Sequence, residues 1–255
     1  MKKLCFMFAM MLVAAPLAAQ TIHIGYFESP PYVFRDDNGK LRGATVEFLE
    51  ESIAPAMGIR FVWTDYPIPI ARQLDLMQKN KLDASAVLAK NLVRQKILDY
   101  PDTPYFITRS TLAVPQSSSL IQVGSVSDIV SLKIGYCTKT FISPFMRDER
   151  IQWDLLAGSS CTRQNFKKLI AGRIDAQYQP DVPPLLYYAR KTRAEDIIRL
   201  VFLPDKVAIY TPFSKQAGSR YLKRYNQALK DTGGTENYMT YLARYMDISK
   251  LSGNH

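Results

Sequence analysis

Thr21-Ile22-His23-Ile24-Gly25-Tyr26-Phe27, Ile59-Arg60-Phe61-Val62-Trp63 and Leu82-Asp83-Ala84-Ser85-Ala86-Val87-Leu88 are three apolar, β-prone runs whose order decides the fold. The first alternates as a strand and runs into the rigid turn Pro30-Pro31, and Asp37-Asn38-Gly39-Lys40 reads as a hairpin-type turn. Between the first two runs, Val46, Leu49, Ile53 and Met57 recur at helical spacing, and Gly58 supplies the stop. Pro55 is expected to shorten or kink the last turn of that helix, because its ring has no N–H to donate. Ile70, Leu74 and Met77 mark a second helix that ends near Asn80. Strand, helix, strand, helix, strand is the order of a parallel sheet covered by helices.

Working outward, the pattern restarts. Ser131 to Tyr136 reads as a strand, a helix is expected to begin near Ser143, and Phe166 to Ala171 is a helix stopped by Gly172. Ile174 to Tyr178, Leu185 to Arg190 and Val207 to Thr211 follow as strand, helix and strand. The two α/β units lie on either side of Val114 to Ser127, with Gln116-Ser117-Ser118-Ser119 as the linker. Two amphipathic helices end the chain, striped by Tyr221, Leu222, Tyr225 and Leu229 and then by Tyr238, Leu242 and Tyr245, with Gly233-Gly234 between them. Tyrosines at this spacing are read as core and rim.

Ahead of the first strand, Lys2 and Lys3, the apolar run Leu4 to Val13 and the small-residue exit Pro16-Leu17-Ala18-Ala19 describe a secretory signal peptide over residues 1–19. Cys5 lacks the small residues that lead into a lipidated cysteine. The expected location is therefore the periplasm. In that oxidising compartment Cys137 and Cys161 are expected to pair as a structural disulfide. The only histidines are His23 and His255, so a Ser-His nucleophilic site or a His-rich zinc site has no material to work with. No cofactor and no metal are expected.

The string from Ile22 to Phe34, then Gly39-Lys40-Leu41-Arg42-Gly43 leading into a helix, then Lys81-Leu82-Asp83-Ala84, resembles the first lobe of the family 3 periplasmic solute-binding proteins. Arg94, Leu98-Asp99-Tyr100-Pro101 and Pro104-Tyr105-Phe106 resemble that family's Arg-containing segment and its aromatic-rich turn. Leu132-Lys133-Ile134-Gly135 and Ala171-Gly172-Arg173-Ile174-Asp175-Ala176 are similar to parts of its second lobe. The resemblance implies an α/β, type II-like fold of two lobes joined by hinge strands and closing over a small ligand. Lobe 1 would comprise 20–115 and 206–255, and lobe 2 would be 116–205. It implies a monomer that captures a small polar ligand, an amino acid or a related carboxylate, for an ABC-type importer (an inner-membrane permease) or a sensor.

Arg94 matches the family position whose guanidinium binds both oxygens of a ligand carboxylate; a surface salt bridge is its other reading. Arg72 is the alternate cation, or a local partner of Asp75. Tyr32 and Tyr66 sit at strand exits as ligand-facing aromatics, whereas Phe34 is expected in the core. Glu28 is read either as an acceptor for a cationic group or as an exposed loop acid. Thr138, Thr140 and Ser143 crowd the expected helix start, where hydroxyls and free N–H groups suit an anion or simply cap the helix. The sequence departs from the family pattern at Val87 and Ala89, at Lys139, and at Pro180, which occupies the position of the family's acid for a ligand amino group; Asp181, one residue later, could fill that role through a shifted loop.

An enzyme on the same scaffold, a periplasmic dehydratase of cyclohexadienyl acids, is the alternative reading, with Glu28, Asp175 and Asp181 as the available carboxylates. Nucleic acid is not an expected partner. The formal charge of +10 is spread unevenly: 206–255 carries eight basic against three acidic residues, while 21–115 carries eleven of each. The surplus thus rides mostly on the terminal region, away from the expected ligand residues.

Overall fold

The chain enters the structure along β1 (Gln20–Gly25), whose Ile22 and Ile24 are fully buried while His23 between them is exposed. The computed structural model describes residues 20–251; the expected signal peptide, Cys5 and His255 lie outside the described residues. A small antiparallel hairpin, β2 (Phe34–Arg35) and β3 (Leu41–Arg42), leads into helix α1 (Ala44–Phe48), a π-helical turn (Leu49–Ile53) and α2 (Ala54–Met57). The helix therefore does not end at Pro55. The wider π turn comes directly before the proline, in the stretch where an ordinary helix would need its N–H and would collide with its ring. Gly58, at φ 59°, then closes the helix with its N–H on the Pro55 carbonyl.

β4 (Ile59–Trp63) pairs parallel with β1, Phe61 opposite Ile22 and Trp63 opposite Ile24. Helix α3 (Ile70–Gln78) returns the chain to β5 (Ala84–Ser85) on the other side of β1. The run 82–88, expected as one strand, is divided. Ala84–Ser85 joins the first sheet, and after Ala86 and Val87 the chain enters a second sheet as β6 (Leu88–Ala89). Helix α4 (Leu92–Ile97) and β7 (Leu98–Asp99) follow.

β8 (Phe106–Pro115) carries the chain into the second lobe. Phe106 belongs to the first lobe's core, and Leu112 and Val114 belong to the second lobe's. There, β9 (Lys133–Cys137), β10 (Gln152–Leu156), helix α5 (Cys161–Ile170), β11 (Ala176–Gln179) and helix α6 (Pro183–Lys191) repeat the parallel α/β plan. β12 (Ile198–Tyr210) returns antiparallel to β8, with a bulge between Phe202 and Lys206. Val201 and Leu203 pack in the second lobe and Val207 and Ile209 in the first. β13 (Phe213–Ser214), α7 (Lys215–Asp231) and α8 (Gly234–Ala243) complete the first lobe. The strand orders are β4-β1-β5-β13-β7 and β10-β9-β11-β8-β12-β6.

The helix expected near Ser143 is a single 3-10 turn, Pro144–Arg147. Asp148 takes extended backbone, and its carboxylate accepts from the backbone N–H and the guanidinium of Arg150, which ends the turn. Cys137 and Cys161 are disulfide-bonded, joining the end of β9 to the start of α5. Among the described residues no helix is long and apolar enough to cross a membrane.

Candidate functional site

Asn91 caps α4 by accepting the backbone N–H of Arg94 at 2.8 Å, and this fixes where the arginine leaves the helix. The Arg94 side chain lies between the lobes and is only 4% exposed. Its Nη1 donates to the Ala89 carbonyl at 2.8 Å, on the near lobe, and its Nη2 to the Lys139 carbonyl at 2.9 Å, on the far lobe. Lys139 presents that carbonyl from a left-handed backbone, φ 66°. Among the described residues no carboxylate lies within ion-pair distance of Arg94. Burial holds its pKa below the ordinary arginine value, opposed by the nearby Tyr100 and Tyr136 hydroxyls. Tyr100 also donates to Ala89 O, at 3.2 Å, and burial pushes its hydroxyl up to about 12.

The guanidinium lines an interlobe cavity of about 30 Å³, shared with Val87, Ala89, Thr140, Gln179 and Asp181. That is room for one or two water molecules. Thr140 Oγ1 donates to Cys137 O at 2.7 Å, so the loop that supplies Lys139 and Thr140 is anchored beside the disulfide. Asp181 is 5% exposed; its Oδ1 accepts from Gln179 Nε2 at 3.3 Å. Burial pushes the Asp181 carboxyl up to about 6, and Tyr32 and Gln179 beside it pull in the other direction. A buried cation and a buried, easily protonated acid thus line one small cavity.

The structure brings Arg94, Thr140 and Asp181 together. Tyr32 is fully buried behind Asp181, its ring 6.1 Å from Phe106, and does not line the cavity. Phe34, expected in the core, instead reaches the far lobe, 5.4 Å from the Tyr187 ring. The exchange follows from a tight turn. Tyr32 N and Val33 N both donate to Ser29 O, so the segment is not extended and positions 32 and 34 do not share a face. Tyr66 is 69% exposed and Arg72 is held by Asp75 at 2.7 Å on an exposed helix face; neither reaches the cavity. Glu28 also stays outside the lining, although Phe27 and Ser29 on either side of it contribute.

Ser143 is buried inside the second lobe and does not line the cavity; its N–H donates to the Tyr178 hydroxyl at 3.0 Å. Sequence reasoning missed Gln179 and Lys139 as contributors. Gln179 ends a strand two residues before Asp181, a position from which side chains reach a cleft. Lys139 acts through its main chain, which leaves no side-chain signal to read. Among the described residues no group of three or more His, Cys, Asp or Glu is placed to hold a metal ion.

The two-lobed architecture is shared with solved structures of low sequence identity. An ancestral arginine-binding protein bound to arginine matches with a TM-score of 0.74 and 21% identity, over 89% of this chain and 98% of the other. A histidine kinase sensor domain with similarity to periplasmic binding proteins gives 0.74 and 18%, over 89% and 96%. The ancestral amino acid-binding protein AncCDT-1, a precursor of cyclohexadienyl dehydratase, gives 0.71 and 20%, over 89% and 95%. No curated protein matches the chain. Residues 22–248 match the profile of the bacterial extracellular solute-binding proteins, family 3, and the chain belongs to that family.

Proposed function

We propose that the protein captures a small carboxylate-bearing solute, an amino acid or a close relative, between its lobes. It would do so in the periplasm after removal of residues 1–19, for an ABC-type importer or a sensor. The observation that carries this reading is Arg94, a buried guanidinium with two carbonyl partners and no carboxylate. Enclosing an arginine charge costs several kcal/mol unless an anion completes its hydrogen bonds, and its planar fork suits the two oxygens of one carboxylate. Asp181, on the other lobe and lining the same cavity, is the acid available to an ammonium. β8 and β12, each with residues packed in both lobes, are the hinge, and the lobes part to admit the solute; the boundary expected after Pro115 moves back into β8, because Leu112 and Val114 pack in lobe 2 and Thr111 to Ala113 pair with β11. Among the structural relatives, an arginine-binding ancestor and an amino acid-binding ancestor favour an amino acid.

The test is thermal unfolding of the mature protein against amino acids, polyamines, simple carboxylates and short peptides. A ligand at a hundred times its Kd stabilises by about 2.7 kcal/mol, or ~5–10 °C for a chain of this size. Arg94→Ala abolishes the response to the responding carboxylate; an unchanged response refutes the assignment.

A second reading, a dehydratase of cyclohexadienyl acids, draws on Asp181, whose buried carboxyl is held close enough to neutrality to exchange protons in the cavity. Incubation with such acids followed by absorbance separates the two, since binding alone leaves the acid intact.

A further inference from the structure

A second and larger concavity lies against the hinge strands, away from Arg94. Its volume is about 810 Å³, within the range of small-molecule sites. Ile198, Leu200 and Phe202 form its apolar strip, three alternate residues that share one face of β12, and Leu186 of α6 adds to it. We infer that this concavity is a binding site for an amphipathic monocarboxylate, with Arg109 receiving the head group and the β12 strip receiving the apolar body.

The charges around it select an anion. Arg199 is occupied, its guanidinium donating to the carbonyls of Gln116 at 3.0 Å, Ser118 at 3.2 Å and Leu120 at 3.5 Å, which fixes the loop forming one wall. On the rim, Lys250 and Glu195 face each other at 3.9 Å and offset one another. Arg109 is different. Its guanidinium lies 5.3 Å from the centre of the Phe202 ring and Nη2 donates to Leu203 O at 3.0 Å, so it is held in place by an aromatic face and one carbonyl. Among the described residues no carboxylate pairs with it. A fixed cation at the edge of an apolar strip is complementary to a carboxylate carried on a hydrocarbon or aryl body, since the head completes the hydrogen bonds while the body removes apolar surface from water.

The experiment is isothermal titration of the mature protein with sodium decanoate below its micelle concentration, with decylammonium, the same chain under the opposite charge, as the control. Decanoate binds at one saturable site and decylammonium at least tenfold more weakly. Arg109→Gln weakens decanoate at least fivefold. Lys250→Glu, a change at a half-exposed rim position that leaves the core untouched, weakens it in the same direction. Arg94→Gln, which disables the cleft, leaves decanoate affinity within twofold. The inference is overturned if the wild-type protein shows no saturable binding, if decylammonium binds equally well, or if Arg94→Gln removes binding that Arg109→Gln spares. The last result would put decanoate in the cleft and leave the cleft reading standing.

Discussion

Replacing Asp181 with asparagine tests whether the cavity holds a buried acid tuned by its surroundings. Its carboxyl is raised from an ordinary 3.8 to about 6, chiefly by burial. An acid whose folded-state pKa exceeds its unfolded value keeps its proton longer when folded, so the folded state binds more protons between those two pH values. Stability is therefore fully retained below pH 4, falls as the pH rises through 6, and stays lower above it. At 1.36 kcal/mol per unit, a difference of roughly two units corresponds to ~3 kcal/mol. Asp181→Asn removes the ionisable group, so its stability relative to wild type rises by ~3 kcal/mol between pH 4 and pH 7. Guanidinium chloride unfolding followed by tryptophan fluorescence measures that difference, and titrations elsewhere cancel in it. An offset that is the same at pH 4 and pH 7 refutes the reasoning. The ligand supplies a second readout. An ammonium beside Asp181 favours its ionised form, so at pH 5.5 capture of an amino acid releases ~0.7 proton by linkage, read by calorimetry in buffers of different ionisation enthalpy. A carboxylate lacking an amine releases none.

Two further outcomes concern the frame around the cavity. Cys137→Ala with Cys161→Ala opens a link between residues 24 apart in sequence and lowers stability by ~3 kcal/mol on the chain-entropy estimate, measurable as a lower denaturant midpoint. Gly43→Ala destabilises by ~3 kcal/mol or more. At φ 129° a β-carbon there would stand 2.1 Å from the Tyr32 carbonyl oxygen, and the neighbouring bonds from Ala44 N to Pro31 O and from Thr45 N to Tyr32 O cannot move aside independently. A midpoint within 1 °C of wild type contradicts that packing.

Much of the fold was legible because local pattern and tertiary burial agree. The alternation of Ile22 and Ile24, the stops at Gly58 and Gly172 and the tyrosine stripes of the last two helices each report a buried face or a left-handed backbone that the structure contains. The crossing strands were not legible. β12 was visible only from Val207 onward, because Pro204-Asp205-Lys206 interrupts the apolar pattern where the strand bulges between lobes. β10 was missed: Gln152-Trp153-Asp154-Leu155-Leu156 is an edge strand with no fully buried residue, and Leu155 is 58% exposed. Of the residues lining the cavity, Arg94, Thr140 and Asp181 were named from the sequence. The places of Tyr32 and Phe34 depended on a turn at Ser29 that only the folded backbone reveals, and Tyr66 and Arg72 were drawn in by sequence position alone.

The bond from Arg94 to Lys139 ends on a main-chain oxygen, and every amino acid carries one. Substitutions at position 139 can change the charge and bulk of that loop without deleting the acceptor, provided the left-handed turn persists. The tie between lobes is thus insulated from drift on one side and wholly exposed to it on the other. On the proposed reading, a lineage exploring new solutes would be free to vary the far wall of the cavity, while any change at Arg94 would alter solute recognition and the tie to Lys139 in a single step.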